Sequence, residues 1–350
     1  MPSRLSQFKA QFPAALYFDA NNLEDLGPLL RSLNLLGPDE PILRTEKPGE
    51  GNMNFVVRVI TPRRSLIIKQ SRPWVEKYPQ IPAPVERLQA ESAFYRVTLQ
   101  EPSLSAMSPA LMAVDSTHMI MVTEDLGPSA DYTSIYAKDA SLTAPEIDDL
   151  FNYLALLQAV SQDINPAKFP PNQDLKKLNH THIFKLPFQT ENGFDLDAVQ
   201  PGLHDLAQPF TRDDALRERL TALGGIYLGA GPVLIHGDFY PGSWLRTPTG
   251  PKVIDPEFAH FGQAEFDVGV MIAHLLMART PWETIQQSLQ TYLRHGSLDK
   301  DLLVEFTGAE ILRRLIGLAQ LPVDLDLPEK AELVEAARGF LLNPSAANLG

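Results

Sequence analysis

The sequence predicts an α+β protein in two unequal parts, a mainly β region over residues 1–125 and a mainly helical region over 126–350. Three observations carry this expectation. Short apolar runs at 53–60, 65–70, 110–114 and 119–123, bounded by Gly, Pro and Asp, have the length and flanks of strands. Beyond Gly127 apolar residues recur at helical spacing, most plainly at 147, 150, 151, 154 and 157. A chain of 350 residues also exceeds what one core usually supports.

Bulk properties exclude several classes. A net charge of −13 argues against a nucleic-acid-binding surface, which needs a basic patch. It leaves nucleotide binding open, because local Lys, Mg²⁺ and backbone N–H groups do that work. With no Cys there is no disulfide, thiolate nucleophile or Cys-based zinc site. The first residues lack a continuous apolar core, and no stretch approaches membrane-spanning length. The expectation is a cytoplasmic protein with no membrane and no nucleic-acid partner; a homodimer stays open.

Along the chain, residues 23–36 carry apolar positions at 23, 26, 29, 30 and 33 and stop at Gly37-Pro38, a helix pattern. The strands 53–60 and 65–70 are joined by Thr61-Pro-Arg-Arg. They are led in by Gly49-Glu-Gly51-Asn52-Met-Asn54, where Gly and Asn let backbone N–H groups approach phosphates. Taken alone, this reads more readily as an ordinary hairpin loop. Lys69 ends a strand that otherwise reads as buried, so it needs a counter-ion. Glu91 is the candidate, on a helix over 85–99 where it shares a face with Leu88 and Tyr95. The strand 119–123 runs out through Glu124-Asp125-Leu126-Gly127. Helices over 145–160 and 213–228 flank residues 165–202, which have weak periodicity and read as an insertion or a cover over the substrate side. His180 and His182 read there as solvated loop residues, since no Cys or third His is near in sequence to complete a metal site.

The chemistry concentrates where two apolar runs, 233–235 and 253–254, end in charge. The first delivers His236-Gly-Asp238 and the second Asp255-Pro-Glu257, with Gly242-Ser243 between them. Mg²⁺ takes oxygen ligands and is commonly held by one or two carboxylates plus substrate phosphates. Phosphoryl transfer needs that metal and a separate carboxylate aimed at the attacking hydroxyl. Helices follow over 266–277, with Asp267 at its start, 282–294 and 301–318. The last carries Arg313-Arg314, and neighbours on a helix point about 100° apart. One Arg is therefore expected to face the site while the other braces the helix or pairs with an acid; a solvated pair is the alternative.

His236-Gly-Asp238 with Asp255 resembles the catalytic and metal loops of the aminoglycoside phosphotransferase and choline kinase superfamily. Within it, His-Gly-Asp-x-x-x-Gly-Ser and Val-Ile-Asp-Pro-Glu-Phe-Ala are most similar to the methylthioribose kinase family. The resemblance implies a protein-kinase-like two-lobed fold and transfer of the ATP γ-phosphoryl group to a hydroxyl of a small molecule. It implies that Asp238 accepts or orients the hydroxyl proton, and that Asp255 and Glu257 hold Mg²⁺ with Ser243 nearby, where the superfamily normally has Asn. Lys69, braced by Glu91, would meet the phosphates under Gly51, Asn52 and Asn54. The backbone at Glu124 and Leu126 would meet the adenine edge. Tyr240 and Arg313 or Arg314 would line the acceptor, and His236 and Asp267 would support the loop. If the likeness extends to substrate, the acceptor is the anomeric hydroxyl of 5-methylthioribose, in methionine salvage. Alternatives are an aminoglycoside, choline, another sugar or an amino alcohol, or an inactive kinase-like binding protein. Loss of the base, the metal acids or the phosphate Lys would mark that last case, and all are present.

Overall fold

The computed structural model describes residues 3–20, 22–49 and 53–347, and the chain divides into two compact units, Met1–Ser129 and Ala130–Gly350. In the first unit α1 (Arg4–Gln11) and α2 (Leu26–Ser32) precede β1 (Arg44–Glu46), β2 (Phe55–Ile60) and β3 (Ser65–Gln70). Then come α3 (Arg87–Thr98), α4 (Pro102–Ala106), β4 (Leu111–Asp115) and β5 (Ile120–Glu124). The strands form one antiparallel sheet in the order β1-β2-β3-β5-β4.

Alternation along each strand sorts the side chains to two faces. Val57, Val59, Leu66, Ile68, Ile120 and Val122 pack with Leu26, Leu29 and Leu30 of α2. On the opposite face Met121 packs with Leu88 and Tyr95 of α3. Each such side chain contributes about 1.5–3 kcal/mol when fully buried, so apolar packing on both faces of the sheet joins it to α2 and α3. Lys69 stands on the α3 face, paired in register with Val56 and Met121.

The first unit departs from the sequence expectation in several places, including β1 and α4, which were not expected. The helix expected over 23–36 is only Leu26–Ser32, because Asn34 adopts a left-handed φ of 59° and ends it. Leu35 and Leu36 are buried all the same, so apolar spacing continued where helix did not. Helix α1 was not expected; its single buried residue, Phe8, sits among polar ones.

The second unit runs through α5 (Ala144–Ser161), α6 (Gln173–Phe184), α7 (Leu203–Thr211) and α8 (Asp214–Leu228) to β6 (Val233–Ile235). It continues with β7 (Trp244–Thr247), β8 (Gly250–Val253) and β9 (His260–Gly262). Four helices close it: α9 (Ala264–Met277), α10 (Trp282–Leu293), α11 (Lys300–Ile316) and α12 (Leu327–Leu342). A capping box between Thr143 and Glu146 starts α5. All of α9 except Leu276 is buried, as expected of a helix apolar all round, and it lies at the centre of the core. Residues 165–202 differ from the expectation. They include α6, with His180 buried and His182 half-buried on it rather than in a solvated loop. The inward face of α6 also uses Lys176 and Asn179, whose polar heads bond main-chain oxygens at Gly229 and Gly237. Polar residues on the buried face are what hid the helical period. Among the described residues no helix is long and apolar enough to cross a membrane.

Candidate active site

The nucleotide-side candidates belong to the first unit. Lys69 Nζ lies 2.6 Å from Glu91 Oε1, with Glu91 1% exposed and Lys69 12% exposed. The anion is thus buried and the cation is the accessible member. One helical turn before Glu91, the buried Arg87 donates to Asn54 Oδ1 at 3.0 Å and to the carbonyls of Met53, Arg72 and Pro84. Ser71 Oγ adds a bond to the same Asn54 oxygen. The Asn54 side chain is buried, and its Oδ1 accepts from Arg87 and Ser71, which fixes the base of the Gly-rich turn. Gly51 and Asn52 lie outside the described residues.

At the exit of β5 the main-chain N–H of Glu124 donates to the Ala110 carbonyl. Arg58, from β2, pairs with Asp125 at 2.9 Å and donates to the carbonyl of Gly127. Sequence reasoning missed this clamp. The available signal was a lone Arg in an apolar strand, within one sheet of an Asp that follows a strand end.

In the second unit β6 pairs antiparallel with β9, Val233 opposite Gly262 and Ile235 opposite His260. The chain then turns through Gly237 with φ +83°, where an added Cβ would lie 2.5 Å from the Phe258 carbonyl oxygen; only Gly fits. Asp267, buried in the first turn of α9, accepts from the backbone N–H groups of His236 at 2.6 Å and Gly237 at 3.0 Å. Burial pushes its carboxyl up to about 7, against the pull of those two N–H groups. His236 Nε2 donates to the Ile254 carbonyl and so ties the 236–238 turn to the strand leading to Asp255. Phe239 stacks on Tyr153 and packs on Trp244, anchoring the residue after Asp238 in the core.

Asp238 meets both arginines. Arg314 donates to its Oδ1 at 3.0 Å, and an Arg313 nitrogen lies 3.6 Å from the same oxygen. Of the two, only Arg314 hydrogen-bonds Asp238, while Arg313 makes its closest bond to an acid, Glu310. Their long side chains overcome the 100° between them because Glu310, also on α11, draws both together. It accepts from Arg313 at 3.0 Å and from Arg314 at 2.5 Å. The two guanidinium groups hold the Glu310 carboxyl well below the usual range despite full burial. Behind Glu310, His274 Nε2 donates to it and Tyr136 donates to His274 Nδ1. Tyr240 lies under Arg314, whose guanidinium carbon is 4.7 Å from the ring centre. Sequence reasoning missed Glu310; its spacing of three and four before the two arginines was the signal.

Asp255 and Glu257 each offer a carboxylate oxygen, the two within 4.8 Å of one another. Asp255 takes a φ of +65°, a conformation rare for a residue with a side chain and typical of strained functional positions. An all-oxygen donor pair of this kind fits a hard divalent cation. Ser243 is buried and its hydroxyl donates to the Asp238 carbonyl, so it braces the turn that presents Asp238.

A family model described as the phosphotransferase enzyme family matches residues 45–301. The chain belongs to this family. Among curated relatives, this phosphotransferase is 27% identical to a methylthioribose kinase of Exiguobacterium sibiricum, covering 88% of each chain. It is 29% identical to a methylthioribose kinase of Geobacillus thermodenitrificans, covering 88% of this chain and 87% of that one. A solved choline kinase from Cryptosporidium parvum aligns with a TM-score of 0.52 at 12% identity, over 93% of this chain and 96% of that one. At that identity the likeness shows the fold, the protein-kinase-like one expected from the motifs.

Proposed function

We propose that this phosphotransferase is a cytoplasmic kinase that moves the ATP γ-phosphoryl group to the anomeric hydroxyl of 5-methylthioribose. The observation that carries the reading is the guanidinium pair of Arg313 and Arg314 held against Asp238. A carboxylate so placed accepts or orients the proton of an incoming hydroxyl, while the arginines donate to the acceptor's other oxygens. A cationic acceptor would favour acids in the pocket, and the arginine pair argues against choline, amino alcohols and aminoglycosides. Relatives matched over nearly their whole length and named methylthioribose kinases support the sugar as acceptor.

In this reading Asp255 and Glu257 hold Mg²⁺, which neutralises phosphate charge when bound. Ser243 contributes at most a lone pair, since its proton is committed to the loop. Lys69 meets the phosphates and Glu91 fixes its position. The carbonyl of Glu124 and the N–H of Leu126 receive the adenine edge, and Tyr240 lines the acceptor.

The test is ATP consumption with 5-methylthioribose, ribose, choline and an aminoglycoside as separate acceptors. The expected result is phosphorylated 5-methylthioribose with the highest kcat/KM of the set. Turnover of choline or the aminoglycoside without turnover of 5-methylthioribose would overturn the assignment.

A further inference from the structure

The Asp238 cluster contains two cations and two anions, and their exposures are unequal. Asp238 is 19% exposed, whereas Glu310 is 1% exposed and cannot touch an acceptor. Arg313 and Arg314 lie between them, each paired with both carboxylates. Arg313 Nε is buried and has no hydrogen-bond partner among the described residues. His274 adds no charge here. Burial pushes its imidazole down to about 4, so near neutral pH the ring is neutral, with Nε2–H toward Glu310 and Nδ1 toward the Tyr136 hydroxyl. The four charged groups therefore sum to zero.

We infer that Glu310 is a positioning residue that sets the charge class of the acceptor: by cancelling one guanidinium from behind, it makes the Asp238 pocket select an uncharged, hydroxyl-rich molecule. The inference rests on the kinase reading above and deepens it. Without Glu310 the arginines and Asp238 carry a net positive charge in a poorly solvated place, which is an anion site. With Glu310, an anionic acceptor meets Asp238 without a surplus cation, and a cationic one meets two guanidinium groups. Glu310 also fixes where both guanidinium groups point, because each is gripped from the buried side.

The probe is inorganic sulfate, measured by calorimetry and thermal shift against sodium chloride of equal ionic strength, so no turnover is required. Glu310→Gln keeps the size and removes the charge. It is expected to bind sulfate about 10- to 100-fold more tightly than the parent, the gain typical of charge-assisted hydrogen bonds. Its KM for 5-methylthioribose should rise, and sulfate should compete with that acceptor. Adding Arg313→Gln to the same chain restores the balance and should return sulfate affinity to the parent value. A folded Glu310→Gln with the parent's sulfate affinity overturns the inference, as does a double variant that still binds sulfate like the single one. Should Glu310→Gln not fold, Asp238→Asn removes the other carboxylate and must gain sulfate binding equally; no gain there overturns the inference as well. If the sulfate pattern holds while the parent ignores 5-methylthioribose, the charge class stands and only the named acceptor falls.

Discussion

The two units each bury an ion cluster, and they present opposite charges. In the Lys69–Glu91 pair the carboxylate is sealed in and the ammonium is the accessible end. In the Asp238 cluster Glu310 is sealed in, the guanidinium groups are 6% and 8% exposed, and the Asp238 carboxylate, at 19%, is the most accessible end. Burial is the variable that sets the sign. A deep counter-ion does not face a ligand but orients the ion that does, and the pairing keeps a charge stable where solvent is scarce. A cation so held suits phosphate oxygens, and an anion so held suits a hydroxyl proton.

Removing the presented charge of the second unit should give the largest effect. Asp238→Asn is expected to lower kcat by ~10²–10⁴, the usual worth of general-base assistance, with little change in nucleotide Kd. Asp267→Asn should instead lower both rate and melting temperature, because an amide can accept only one of the two N–H bonds made to the 236–238 turn. An orphaned buried N–H costs about 1–3 kcal/mol. Steady-state kinetics and melting curves on both variants separate the roles, and parental kcat in Asp238→Asn would sink the mechanism.

In the first unit the effects should be smaller and ordered by exposure. Lys69→Ala should raise the nucleotide KM or depress kcat, and Glu91→Ala should do the same less severely, since it acts through Lys69. Turnover and nucleotide binding like the parent's in both variants would remove the pair from the nucleotide site.

The smallest effect concerns pH, and only the second cluster contains an imidazole. Burial pushes His274 down to about 4, whereas an unfolded His titrates near 6.5. Between those values the unfolded chain binds a proton that the folded chain refuses, so stability falls as pH falls through the window, by at most ~3 kcal/mol. Urea unfolding of the parent and His274→Gln at pH 7, 5.5 and 4.5 checks this. The variant should lose less stability than the parent on acidification; equal losses would mean His274 is not the group responsible.

Much of this was legible because each signal was local. The strands of the first sheet announced themselves by apolar runs between turn residues, and Lys69 called for a partner because it interrupted one. His236-Gly-Asp238 and Asp255-Pro-Glu257 stood out as charge ending apolar segments. What was hidden shares one cause, polar groups satisfied by distant parts of the chain. Helix α6 buries Lys176 and Asn179 against carbonyls more than forty residues away. Arg58 reaches Asp125, and Asn54 is claimed by Arg87. Such pairings leave no period, and in one dimension they look like solvent-facing residues. Glu310 was the exception, three and four positions from its partners, but an acid beside two arginines on a helix also describes an ordinary exposed face.

Arg87 and Glu91 leave α3 one turn apart and grip different segments, Arg87 the chain at Met53 and Asn54, Glu91 the end of β3 at Lys69. A helix fastened this way cannot release one segment without loosening the other. The base of the Gly-rich turn, the end of β3 and the first turns of α3 therefore open to solvent as a single cooperative piece, with one free energy of opening instead of three.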